Sequence, residues 1–431
     1  MRTFFHRLQE FFSARPYRLA HFRICLRDYF DLRLPALSLQ PNADHLQAAM
    51  SWLCRAQDAT PDGGVSARYR FDRGWAPSYP ETTGYIIPTF FRYARYAQKE
   101  EYRARALRMA DWLLSLQLHD GAFPGHDVSA QPRPVVFNTG QILKGLLSAS
   151  DETHEEKYLQ AGMRAGDWLA SVQAADGSWP QFEYLNRPHA YHTRVAWALL
   201  ELWLATRREK YRAAALKNLD WALERQLPNG WLRENGFRDD DHPYLHTIAY
   251  ALRGFVAAAE ILRQHDHAPA HSRKYFAAAE RAGAALMRRF EIRRYPFAQY
   301  DCNWKSEERF SCLTGNAQIA VIWLGLYRSN GDARYLNAAL KINDFLKSTQ
   351  DLAARHSGIR GGIKGSHPIW GKYMRYSYPN WAAKFFVDAL MLEDEIMSQL
   401  ETGMAAHNTD SDRPFSQPSG TQRMKDFGIK R

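Results

Sequence analysis

The sequence predicts an all-α protein built as an (α/α)6 toroid, in which six outer helices surround six inner ones. Three observations lead there. One frame recurs six times along the 431 residues, amphipathic helices alternate with helices that are apolar nearly all round, and no segment sustains the period-two alternation of a half-buried sheet.

The elements follow in chain order. Residues 1–40 are basic and aromatic-rich (MRTFFHRLQEFFSARPYRLAHFRICLRDYF), without the uninterrupted apolar run of a secretion signal. This segment is expected to lie on the domain or on a membrane surface. The toroid should occupy residues 41–398. Its outer helices share a Tyr, then ten residues to an aromatic, then five to a Gln, as in EYRARALRMADWLLSLQ, KYLQAGMRAGDWLASVQ, KYRAAALKNLDWALERQ and RYLNAALKINDFLKSTQ. WLCRAQDATPDGGV is a shorter first copy, and in KYFAAAERAGAALMRRF the aromatic and the Gln are replaced by Ala285 and Phe290. The frame positions Trp52, Trp112, Trp168, Trp221, Ala285 and Phe345 recur at intervals of about 53 to 64 residues.

Each outer helix is followed by an apolar one: TGYIIPTFFRYARYA, TGQILKGLLSAS, TRVAWALLELWLATRR, TIAYALRGFVAAAEILR, GNAQIAVIWLGLYRS and NWAAKFFVDALMLEDEI. A helix apolar all round belongs inside. The links from outer to inner helix run to about 20–30 residues, whereas the return links are short, so one rim should carry the site. Residues 399–431 turn to Ser, Gln, Pro and charge, the composition of a disordered tail.

Composition narrows the partners. Lys and Arg outnumber Asp and Glu 57 to 46, a net charge of +11, which favours an acidic partner. No nucleic-acid module accompanies that charge, so nucleic acid is not expected. The four cysteines form no metal or disulfide pattern and read as reduced thiols in the cytoplasm. No segment offers roughly 18 consecutive apolar residues for a membrane span. Neither a cofactor nor a metal is expected.

The stretch DWLASVQAADGSW resembles the QW motif of squalene-hopene cyclases and related terpenoid cyclases, met best at Trp168, Gln173, Asp176, Gly177 and Trp179. The resemblance implies that these residues tie helix ends together in an α/α toroid, so they are fasteners and not catalysts. Residues 52–89, WLCRAQDATPDGGVSARYRFDRGWAPSYPETTGYIIPT, resemble the VpsJ-like proteins of bacterial exopolysaccharide gene clusters, and the similarity continues to about residue 395. This implies a role in making or modifying an extracellular or biofilm polysaccharide. It carries no catalytic residues with it. The DxDD of a protonating cyclase, the DDxxD of a metal-dependent synthase and the zinc set of a prenyltransferase are all missing, which makes terpenoid chemistry the weaker reading.

Aligning the inner-helix starts brings polar residues into equivalent places: Glu81 and Thr83, Asn138 and Gln141, Tyr191, His192 and Arg194, His246 and Tyr250, Asn316 and Gln318, Asn380 and Lys384. Helix N-termini converging on a funnel favour an anionic ligand. Two chemistries fit. Asp240, within the run Asp239–Asp240–Asp241, could pair with Glu81 as the two carboxyls of a glycosidase. Alternatively, His192, His246 and Tyr250 with Arg194 supply a base, a proton donor and a cation for epimerisation or β-elimination of a uronate. The substrate-binding candidates are Arg194, Tyr191, Asn138, Gln141 and Asn316, with Trp75 and Trp304 as sugar-stacking aromatics. The expected substrate is an anionic polysaccharide or a lipid-linked oligosaccharide. A non-catalytic glycan-binding scaffold, docked on the inner membrane through residues 1–40, is the alternative from another class.

Overall fold

A computed structural model describes residues 19–31, 39–237, 242–266, 269–292 and 296–410. The helices are α1 (Leu19–Asp31), α2 (Asn42–Asp58), α3 (Pro80–Ala97), α4 (Glu100–Ser115), α5 (Val136–Thr153), α6 (Glu156–Ser171), α7 (Thr193–Thr206), α8 (Glu209–Glu224), α9 (Leu245–His265), α10 (Pro269–Ile292), α11 (Leu313–Asn330), α12 (Ala333–Thr349) and α13 (Asn380–Asp410). The apolar helices α3, α5, α7, α9, α11 and α13 each pack against the next, and α13 returns to α3, so the inner ring closes. Each inner helix also packs against the outer helix that follows it. The exception is α13, whose outer partner is α2 at the other end of the chain. The (α/α)6 toroid read from the repeat is the fold.

The repeated frame stitches the outer ring. Gln117 Nε2 donates to the carbonyl of Gly121 in its own turn at 3.0 Å and to that of Ala161 on the next outer helix at 2.8 Å. Gln173 does the same with Gly177 and Ala214, Gln226 with Gly230 and Ala278, and Gln57 with Gly63 and Arg105. Gln350 closes the circle onto Gly361 and His45. A second stitch runs beside it: the Tyr158, Tyr211 and Tyr275 hydroxyls donate to Asp111, Asp167 and Asp220, which stand before Trp112, Trp168 and Trp221. The turn itself requires glycine. Gly177 has φ of 90°, and a Cβ there would stand 2.4 Å from the Lys217 carbonyl oxygen.

Strands are few and short. β1 (Arg68–Arg70) pairs antiparallel with β2 (Gly74–Trp75) and with β5 (Ser377–Pro379), and β3 (Ser311–Cys312) pairs with β4 (Ser366–His367). The β1–β5 pairing, with Tyr69 opposite Tyr378, joins the loop of the first repeat to that of the last.

The seam carries a further clamp. The inward face of α1 places buried Asp28 against Lys364 Nζ at 2.5 Å and under the Ile369 amide at 2.7 Å, while His21 bonds the Tyr69 hydroxyl at 3.0 Å. Within the segment expected on the domain or a membrane, residues 19–31 therefore pack on the domain; residues 1–18 and 32–38 lie outside the described residues. At the other end α13 runs on to Asp410, past the expected boundary at 398. Among the described residues one helix, α9, is long and apolar enough to cross a membrane by length and composition; it is an inner-ring helix, mostly buried.

Candidate functional site

All six inner helices begin on the long-loop rim, so their first turns converge there. On α3, Glu81 is 7% exposed and lies against the Tyr79 hydroxyl. Burial pushes its carboxyl up to about 7, against the pull of Tyr79 and Arg194. Arg194, on α7, is 1% exposed. Its Nε donates to Gln141 Oε1 at 2.9 Å, and its Nη1 is buried without a partner. Among the described residues no ion pair neutralises it. Instead its guanidinium lies 4.5 Å from the Tyr250 ring centroid and 5.5–5.7 Å from those of Phe385, Trp197 and Tyr85.

Below this level charge continues down the axis. Lys384 Nζ meets Asp388 at 2.6 Å, with Arg253 and Arg92 at 3.9 and 4.0 Å from the same carboxylate. Burial, aided by Arg253 and Arg194, lowers Lys384 to about 7, although Asp388 opposes it. Burial acts to raise Asp388, yet Lys384, Arg92 and Arg253 together hold it at about 2. Lys144 pairs with Glu201 at 2.7 Å over the Trp197 ring. Positive groups thus outnumber ionised carboxylates, and three buried donor nitrogens, Arg194 Nη1, Arg253 Nη1 and Gln141 Nε2, have no acceptor. An unneutralised buried guanidinium is costly unless an anion completes it.

The other expected residues divide. His246, on α9, stands 4.2 Å from the Tyr250 ring and receives Gln318 Nε2 at 2.9 Å on Nδ1. Burial, reinforced by Arg194, lowers it to about 3 and keeps it neutral. His192 is fully buried: Nδ1 accepts from the His189 amide at 3.4 Å, and Nε2 lies 3.1 Å from Glu183 Oε1 without making a hydrogen bond. Glu183 in turn accepts the Phe137 amide at 2.6 Å and so caps α5. This gives His192 a bracing position. Tyr191 is buried between Phe137 and His189. Asn138 and Asn316 tie their first turns to Pro124 and Ser311 through their amide nitrogens, leaving both carbonyl oxygens buried without partners.

Trp75 packs on Trp52 and Tyr69 at the seam, and Trp304 packs on Trp231 and donates to the Asn229 carbonyl, so both serve loop junctions. Asp240 lies outside the described residues. Among the described residues no three His, Cys, Asp or Glu gather as a metal-ligand set. A cavity of about 590 Å³ opens off the axis, between His242, Arg289, Tyr300 and Trp304. It lies beside the junction where Phe290 replaces the stitching Gln, and it does not include the unpartnered donors of the axis.

Known proteins share this architecture. The sequence profile of the squalene-hopene cyclase C-terminal domain matches residues 132–257. No curated protein matches by sequence. Among solved structures, an unsaturated glucuronyl hydrolase specific for heparin superposes with a TM-score of 0.66 at 15% identity, covering 83% of this chain and 98% of that one. Cellobiose 2-epimerase from Bacillus thermoamylovorans gives 0.65 at 14%, covering 81% and 98%. An α-amylase from Clostridium perfringens gives 0.59 at 12%, covering 83% and 99%. The likeness is one of fold. It extends over nearly the whole of each neighbour and places the same double ring in proteins whose names specify sugar chemistry.

The charged column lies one turn beneath the residues that the aligned helix starts bring together, and so has no place among the site residues read from the sequence. Lys144, Trp197, Arg253 and Asp388 stand three or four residues after Gln141, Arg194, Tyr250 and Lys384, on the same helix face. Their signal was there to read, since charged residues inside otherwise apolar helices seldom occur without a purpose.

Proposed function

We propose that the protein is a carbohydrate-active enzyme that transfers protons on an anionic, uronate-bearing glycan in its funnel. The observation that carries this reading is the pairing of Arg194, buried and unneutralised, with Glu81, poised near neutrality. Arg194 Nη1 and Gln141 Nε2 receive the sugar carboxylate and Glu81 gives or takes the proton, with Tyr250 under the guanidinium and neutral His246 beside that ring. Neighbours named as a glucuronyl hydrolase and a sugar epimerase support the substrate class. Asp240 remains our choice for the second carboxyl if the reaction is hydrolysis. The biological setting we propose is bacterial exopolysaccharide synthesis in the cytoplasm, with a polysaccharide or lipid-linked oligosaccharide as substrate.

The test incubates purified protein with unsaturated glucuronyl disaccharides, and with saturated uronate oligosaccharides in D2O. Loss of the alkene absorbance or solvent deuterium entering the sugar ring is the expected result. Tight binding with neither outcome would return the protein to the scaffold class. The pH profile separates the reactions: a general acid at Glu81 loses activity as pH rises through about 7, whereas a general base gains it.

A further inference from the structure

The lysines of the axis occupy both of its lower carboxylates. Lys384 Nζ donates to Asp388 Oδ2 at 2.6 Å and Thr89 Oγ1 to Asp388 Oδ1 at 2.9 Å, while Lys144 Nζ reaches both oxygens of Glu201 at 2.7 Å. Two arginines on the same column are left over. Arg253 and Arg92 stand 3.9 and 4.0 Å from Asp388, outside hydrogen-bonding range, and Arg253 Nη1 is buried without an acceptor among the described residues. Three cations also crowd one indole: Lys144 Nζ lies 3.2 Å from the Trp197 ring centroid, and the guanidiniums of Arg253 and Arg194 each lie 5.6 Å from it. Such a surplus of buried positive charge is costly until an anion completes it.

The column is open at its lower end. The inner helices start on the long-loop rim and so finish on the short-loop rim. Arg194, near the start, is almost fully buried, whereas side-chain exposure reaches 12% at Arg253, 30% at Glu201 and 41% at Arg92. Water therefore enters the axis from the short-loop face, away from Glu81. The helix ends at this face are C-terminal and slightly negative, but that effect fades within a turn, and Arg253 stands about three turns inside α9.

We infer that the short-loop end of the axis is a second anion site, where Arg253 and Arg92, with Lys144 beside them, bind a phosphoryl group, either free phosphate or the phosphate of a sugar. A guanidinium presents its N–H groups as a fork that matches an oxyanion, and two such forks offer more donors than a single carboxylate can accept. A phosphoryl group, with three oxygens and up to two negative charges, suits both the donors and the surplus that Asp388 and Glu201 leave. The site does not rest on the glycan chemistry proposed for the funnel.

The experiment is calorimetric titration of the full-length protein with inorganic phosphate and with glucose 6-phosphate, at an ionic strength held constant with sodium chloride. Saturable binding is expected, about tenfold or more weaker in Arg253→Met, which removes a charge-assisted donor. Arg92→Gln, on a half-exposed side chain, should weaken binding with unchanged thermal unfolding, which guards against a folding failure of the buried variant. Glu81→Gln should bind like wild type. Glucose 6-phosphate binding with the same dependence on the two arginines identifies a sugar phosphate as the ligand, and binding of inorganic phosphate alone identifies the free ion. Absence of saturable binding with either probe, or wild-type affinity in both arginine variants, would overturn the site. Loss of binding in Glu81→Gln would place the anion in the funnel and overturn it equally. Glycan turnover is measured separately, so this site and the catalytic reading fail independently.

Discussion

Glu81 shows how a single residue can hold function against stability. Its folded value near 7 exceeds the ordinary 4.5, so the folded state holds a proton that the unfolded chain has released. Stability from this group is complete below about pH 4.5, is lost progressively as pH rises and is gone above about 7. Glu81→Gln should therefore abolish turnover yet raise unfolding free energy by roughly 2–3 kcal/mol at pH 8 and by nearly nothing at pH 4.5, as denaturant titrations at the two pH values would reveal. Arg194→Met makes the complementary case. A buried charge replaced by an apolar group of similar size is often neutral or stabilising by about 1–4 kcal/mol, so the variant should melt no lower than wild type while losing uronate binding in calorimetry. A large fall in melting temperature would make Arg194 structural. Glu81, Arg194, His246 and Tyr250 were legible in the sequence because they occupy the same place in successive repeats. The setting of His192 was not, because its restraint comes from Glu183, whose loop position has no equivalent in the aligned starts.

At the scale of elements the fold was legible through repetition. A Gln whose amide joins its own turn to a carbonyl on the next outer helix, 41 residues on for Gln173 and 52 for Gln226, leaves the same trace each time it is used, and five copies outweigh the ambiguity of any one. Gln173→Ala should cost about 1–2 kcal/mol, since it removes both bonds of the amide, although Asn218 still donates to the Gly177 carbonyl. Gly177→Ala should cost more than ~1 kcal/mol, because it adds both a disfavoured φ and a clash with the next helix. Denaturant unfolding would rank them, and equal effects would show that the turn has room to relax. Phe290 marks the junction that does without this stitch, beside the cavity lined by Trp304. The charged column was missed at this scale for the opposite reason: Lys144, Arg253 and Asp388 differ from repeat to repeat, so comparison between repeats dilutes them.

At the scale of the whole molecule, the seam between first and last repeats is held by the β1–β5 pairing, by Gln350 and by α1. Asp28→Asn leaves Lys364 buried without its counter-charge, which should cost about 3–5 kcal/mol. Hydrogen exchange should then lose protection first at Tyr69 and Tyr378, while the α5–α8 side of the ring keeps its protection. Uniform loss around the ring would mean that the toroid opens only as a unit.

The pairing of α2 with α13 also sets a timetable for synthesis. Five inner–outer hairpins are local in sequence and can form as the chain leaves the ribosome, since nearby contacts are the quickest to make. The first outer helix cannot share in this, because its partner is translated last. Until then it has an apolar flank without its partner. A chain that stops anywhere before α13 therefore forms an open arc, with Leu46, Met50 and Leu53 of α2 lacking the helix that covers them.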